Sequence, residues 1–279
     1  MSRAATRFSL PAALAIAIGG IWAGVAAGEV PLPEAPVMSA AGETLPGFLP
    51  HSRPAPAALG MGFTSEATPS QTAPELARIA FEVSRNVTFD TTGLPRCTLG
   101  ELFEYEGEEL PCPRSLVGEG TVISEITLPG KPTAKGVEGA LFAFYGLVRG
   151  SPYLLARVTT GEPLPLTYVI PFAIRKGQGA FGTRLVANKM RRIHGKCARD
   201  HPDCFGQTYT FQGIYSHISY FRLFLHRRFT AAGRRRSFVN ASCPPHGRSL
   251  EFPLENVSLR YVFGTDLNAV VSGRCKPPS

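Results

Sequence analysis

Residues Gln207 to Cys243 read QTYTFQGIYSHISYFRLFLHRRFTAAGRRRSFVNASC, and the way this stretch folds decides the architecture. Its apolar residues are mostly β-branched or aromatic, the types that fit a pleated, half-buried surface. On a strand, Phe221, Leu223, Leu225 and Arg227 share one face, and Tyr220, Arg222, Phe224, His226 and Arg228 the other. The first face is nearly all apolar, the pattern of a sheet buried on one side. A helix is the rival reading, because neither Gly nor Pro occurs between Gly213 and Gly233. Residue type favours the strand, as does the Ala231-Ala232-Gly233 connection to a second strand-like run, 237–241. The stretch is therefore expected to be a hairpin.

Pairing across that turn would bring five guanidiniums to one tip: Arg227 and Arg228 before it, Arg234, Arg235 and Arg236 after it. Like charges facing one another across a ladder destabilise it. Two readings follow. The tip is a solvated end guarded against edge pairing by its charge, or it is a site for an anionic partner, since guanidinium forks match phosphate and carboxylate.

Outward from the hairpin, the chain opens with an export signal at 1–28. Arg3 and Arg7 form a short basic region, an apolar core runs over about 10–25, and Val25-Ala26-Ala27 offers the small residues of a cleavage site. The core is short for a membrane span and is broken by Gly19, Gly20 and Gly24, so no transmembrane anchor is expected after cleavage. Loss of this segment takes the formal charge from +8 to +6 (8 − 2) and removes Trp22, the one tryptophan. The remaining basic chain favours anionic surfaces; no nucleic-acid-binding motif accompanies that charge.

All six cysteines, Cys97, Cys112, Cys197, Cys204, Cys243 and Cys275, follow the signal. An even count in an oxidising compartment reads as three disulfides, and short loops favour the pairs 97–112, 197–204 and 243–275. Residues 29–74, rich in proline, read as a disordered, semi-extended linker. From 75 to 279 strand-length pieces alternate with Gly and Pro: 77–83, 87–90, 117–128, 137–148, 153–159, 166–174, 181–187, the hairpin, 250–263 and 267–275. That rhythm predicts an all-β, disulfide-stabilised domain, a single antiparallel β-sandwich, jelly-roll-like or barrel-like. One short helix is expected over 98–110, where Thr98 and Glu101 have the spacing of a capping box.

Gly93-Leu94-Pro95-x-Cys97, Cys112 with Leu116-Val117-Gly118-x-Gly120, and Tyr168-Val169-Ile170-Pro171-Phe172 resemble a group of exported actinobacterial proteins. Gly179-x-Phe181-Gly182-Thr183, the arginine hairpin, Ser242-Cys243-Pro244 and Cys275 extend the likeness over about 76–275. The resemblance implies a secreted β-rich domain and no activity. The insert 192–205 looks like an addition to the group's pattern.

Chemical motifs are sparse. His194, Cys197, His201 and Cys204 have zinc-ligand types and spacing, but outside the cell the thiols would oxidise, and a local disulfide is the stronger reading. The acidic run Glu101, Glu104, Glu106, Glu108 and Glu109 could hold calcium or supply paired carboxylates, yet it lacks an Asp-x-Asp-x-Asp-Gly loop. No nucleophile elbow or phosphate loop is present, and Ser216 and His217 are merely adjacent. No catalytic residue and no cofactor is expected. The expected function is a non-enzymatic envelope or extracellular binding module, meeting an anionic cell-wall polymer, lipid head group or acidic protein through the arginine tip. The alternatives are an envelope hydrolase using Glu104, Glu119 or Asp203, and a purely structural secreted domain.

Overall fold

The computed structural model describes residues 36–51, 53–66, 75–104, 110–127, 132–161, 163–198, 208–210, 215–244, 251–262 and 264–275. In chain order the strands are β1 (Val37–Leu45), β2 (Ala55–Glu66), β3 (Leu76–Ser84) and β4 (Val87–Phe89), followed by α1 (Leu99–Glu104), the one α-helix among the described residues. A meander comes next: β5 (Leu116–Thr127), β6 (Ala134–Val148), β7 (Ser151–Thr160), β8 (Leu166–Lys176) and β9 (Phe181–Asn188). Then come β10 (His194–Cys197), β11 (Thr208–Thr210), β12 (Tyr215–Leu225), β13 (Arg228–Ala231), β14 (Arg234–Ser237) and β15 (Val239–Ala241). The last two are β16 (Glu251–Tyr261) and β17 (Asp266–Arg274).

The expected class holds: the chain is all-β and antiparallel, with one short helix and disulfide ties. It is built from one large sheet in the order β17-β16-β3-β9-β8-β7-β6-β5-β12-β2-β15-β4, with β1 also on β2 and β10 on β8. The sheet curls over its own core. Five strands stand between β3 and β12 in that order, yet the Phe81 and Phe221 rings lie 5.5 Å apart. Phe63 of β2 and Phe172 of β8 close the cluster, 5.7 and 5.9 Å from Phe221, in the tilted and offset arrangements aromatic pairs prefer. At the two ends β1 packs on β17 through side chains: a β-carbon at Gly42 would lie 3.2 Å from Val271 Cγ1. Among the described residues no ladder joins these two strands.

The β12 half of the expected hairpin is a strand with the predicted faces. Phe221, Leu223 and Leu225 are buried, and Arg222 and His226 are exposed. Its pairing differs. β12 lies in the middle of the large sheet between β5 and β2, so both its edges are taken before the chain reaches the turn. Close approach on the β5 side needs glycine: a β-carbon at Gly120 would collide with the Arg222 carbonyl. The chain leaves the sheet at His226 and Arg227, whose amides both donate to the Val117 carbonyl at 3.1 and 3.3 Å. β13 and β14 then form a separate two-stranded ribbon, and β15 returns to pair with β2 and β4.

A second expectation is corrected. Much of 29–74, read as a disordered linker, is sheet: β2 lies between β1 and β12, and its Leu59, Met61 and Phe63 are core residues. Those three alternate with Gly60 and Gly62, a period-two pattern that the neighbouring prolines obscure. The segment is also tied to the far end of the chain. The Leu49 amide donates to the Arg274 carbonyl at 3.3 Å, and the Cys243 amide to the Pro50 carbonyl at 2.8 Å. The compact unit therefore starts well before residue 75. Residues 1–28, read as an export signal, lie outside the described residues, and none of the described helices is long and apolar enough to cross a membrane.

Two of the expected disulfides are formed, Cys97–Cys112 and Cys243–Cys275. Cys197 is also disulfide-bonded; Cys204, its expected partner, lies outside the described residues. One buried group is unlike the rest of the interior. Glu255 of β16 is fully buried, with Val83 and Val271 as its partners in the adjacent strands. Among the described residues neither of its carboxyl oxygens has a hydrogen-bond partner.

Candidate functional site

The arginine ribbon owes its register to its turn. Ala231 pairs with Arg234 across Ala232 and Gly233, which have φ of 48° and 72°. Left-handed conformation at both central positions gives a turn whose twist matches that of the flanking strands. Phe229 pairs with Arg236 and Thr230 with Arg235, so the arginines divide between two faces instead of converging on one tip.

One face carries Phe229, Ala231, Arg234 and Arg236. It docks on the turn after β4, where a β-carbon at Gly93 would come within 2.7 Å of Ala231 Cβ. Arg236 Nη1 donates to Asp90 Oδ2 at 2.8 Å, and the Thr92 amide donates to Asp90 Oδ1 at 2.9 Å. Burial pushes the Asp90 carboxyl up, but the Thr92 amide and the Arg236 guanidinium outweigh it and hold the group below its ordinary range. Arg236 is therefore already paired. Arg227 precedes the ribbon and is half-buried. The other face presents Arg228 and Arg235, both exposed and diagonal to one another in the register, a separation of about 7–8 Å. Arg234 is exposed at the turn. Among the described residues Arg228, Arg234 and Arg235 have no acidic partner.

A different concavity lies on the outer face of β7, β8 and β9, a groove of about 730 Å³. Its floor is Tyr153, Val169, Pro171, Ala173 and Val186, side chains that point away from the aromatic core. Leu99 and Phe103 of α1 form one wall. The helix is held there by its capping box: the Thr98 amide donates to Glu101 Oε2 at 2.8 Å, and the Glu101 amide to Thr98 Oγ1 at 3.2 Å. The Thr98 amide, then its hydroxyl, hold the Glu101 carboxyl below its ordinary range. At the other end Arg157 Nε donates to the Leu102 carbonyl at 3.0 Å, satisfying a last-turn carbonyl.

The rim of the groove is basic. Arg149 sits at a two-residue turn with Gly150, both with positive φ, between the paired Val148 and Ser151. Lys189, also at positive φ, starts the short 3-10 turn that brings Arg192 and His194 to the edge, and Arg175 stands at the end of β8. Among the described residues no acidic side chain lines the groove, and none of these five has an ion pair. Sequence reasoning did not find this site. Its cations come from three separate stretches of chain, and only folding puts them on one rim; the Arg149-Gly150 turn was the one local signal.

The remaining candidates are placed only in part. His194 is exposed on the groove rim, and Cys197 is buried and disulfide-bonded, so its sulfur is no thiolate ligand. His201, Cys204 and Asp203 lie outside the described residues, as do the side chain of Glu104 and all of 105–109. Glu119 is exposed and stands 3.7 Å from His226 Nε2. His217 is a core residue, its Nε2 3.2 Å from the Ser65 carbonyl oxygen. The two groupings of ligand-type side chains both contain cysteines already joined in disulfides: Cys243 and Cys275 with His51, and Cys97 and Cys112 with Glu101. No protein-family model matches this chain, and neither a curated protein nor a solved structure is significantly similar to it.

Proposed function

We propose that this is an exported, non-enzymatic binding module that meets an anionic polymer of the cell envelope through the outward face of the ribbon. The observation that carries the reading is the pair Arg228 and Arg235, exposed on one face of a short two-stranded ribbon without an acidic partner among the described residues. Arg234 adds a third free guanidinium at the turn. Arg236 serves to hold the ribbon through Asp90, and Arg227 is half-buried ahead of it. Repeated phosphates or carboxylates suit this surface, because planar forks bind such groups bidentately while a polymer supplies several contacts at once. Export rests on the signal at 1–28, and the disulfides are of the kind that persist in an oxidising compartment.

The test is sedimentation of the mature chain with isolated envelope across a salt series. Wild type should bind and weaken as salt rises, since exposed charges are screened beyond about 10 Å at 0.1 M. Arg228→Gln with Arg235→Gln should reduce binding at least tenfold with thermal unfolding unchanged. Equal binding by both proteins, or binding by neither, would reduce the ribbon to a charged device against edge pairing. Capture by purified anionic vesicles or by an acidic protein, with none by the polymer, would reassign the partner.

A further inference from the structure

The groove on the outer face of β7–β9 combines two properties that each need explaining. An antiparallel sheet commonly presents polar side chains outward, yet here the outward positions of β8 run Val169, Pro171, Ala173 before Arg175. Part of that apolar stripe is used by α1, whose Leu102 is buried against it together with Leu155 and Val169. The rest remains as the floor of an open trough, with Leu99 and Phe103 half-buried along one side. The second property is the rim. Arg149, Arg175, Lys189, Arg192 and His194 line the trough, with no acidic side chain among its described lining residues. Like charges gathered on one rim repel, and a bound anion would relieve that repulsion.

An apolar floor suits a hydrocarbon chain, and several cations on the rim suit a head carrying more than one negative charge. The volume, about 730 Å³, falls in the range of small-molecule sites. We infer that the groove binds a single-chain amphiphile with a phosphate head, its alkyl chain laid along Pro171, Ala173 and Val186 and its phosphate held by Arg175, Arg192 and Lys189. Arginine forks and a lysine ammonium are the usual ligands of a phosphate group. The groove shares no residue with the ribbon, so this site is independent of the polymer-binding reading.

Dodecyl phosphate, kept below its micellar concentration, is the probe, titrated into the mature chain by calorimetry. Inorganic phosphate supplies the head alone, and dodecyl maltoside the same chain on a neutral head. The expected result is saturable one-to-one binding of dodecyl phosphate, at least tenfold tighter than either control, with a negative heat-capacity change from burial of the chain. Arg175→Gln with Arg192→Gln, two exposed rim positions, should weaken it at least tenfold without shifting the unfolding temperature, whereas Arg228→Gln with Arg235→Gln should leave it unchanged. Absence of saturable binding overturns the inference. So does equal affinity for either control, or a rim variant that binds like wild type.

Discussion

Glu255 shows how much one residue's surroundings decide. On an exposed strand it would be an ordinary carboxylate; in β16 it lies between Val83 and Val271 and faces Gly42, whose β-carbon position is 3.0 Å from Oε2. Burial pushes its carboxyl well above the ordinary value, with no charged group among the described residues opposing it. The folded state therefore holds a proton that the unfolded chain releases at about pH 4.3. Between that pH and the raised folded value the native state binds more protons than the unfolded one. Stability from this group is thus fully present below about pH 4.3 and declines as pH rises toward the folded pKa. Glu255→Gln should remove this part of the pH dependence, read as the difference between denaturant unfolding of variant and wild type from pH 4 to pH 8. Glu255→Leu should in addition stabilise the protein by about 1 kcal/mol or more at pH 8, because an unpartnered buried carboxyl is replaced by a packed side chain. Parallel pH profiles for wild type and both variants would show that the carboxyl finds water or a partner in solution.

At the scale of elements, α1 was legible because its signals are local. Thr98 and Glu101 are three residues apart, and the capping box forms between them with both reciprocal bonds. The helix covers part of the outer face of β7 and β8, so its cap matters to the groove as well as to the fold. Thr98→Ala should cost about 1 kcal/mol in denaturant unfolding, the usual loss for an N-cap side chain, and should weaken dodecyl phosphate binding by loosening the Leu99 and Phe103 wall. A variant with unchanged stability would mean that the Cys97–Cys112 bridge and Arg157 hold the helix unaided. The arginine ribbon teaches the converse. Alternation over Tyr220–Leu225 correctly set which side chains enter the core, but pattern within one strand contains nothing about which strand lies beside it. β12 took β5 and β2 as neighbours, leaving the arginine run to pair with itself across Ala232-Gly233 and to send Arg228 and Arg236 to opposite faces.

At the scale of the molecule, the N-terminal proline-rich segment is part of the domain. β2 presents Leu59, Met61 and Phe63 to the core and pairs with β1, β12 and β15, while Leu49 and Pro50 are stitched to Arg274 and Cys243. A chain beginning at residue 75 should fail to give a cooperative thermal transition, whereas one beginning at residue 36 should unfold like the mature protein; circular dichroism and calorimetry read both. A cooperative transition for the shorter chain would restore the linker reading. Sequence alone determined the all-β class, the faces of β12, the helix cap and the two disulfides seen between neighbours, since each is written in spacing along one short stretch and enforced by local geometry. Tertiary structure alone decided that one sheet curls onto itself, that proline-flanked residues supply central strands, and that cations from separate stretches of chain meet over an apolar floor. Those are contacts between residues distant in sequence, chosen by competition among many strand edges for partners, and no short-range pattern encodes which edge wins.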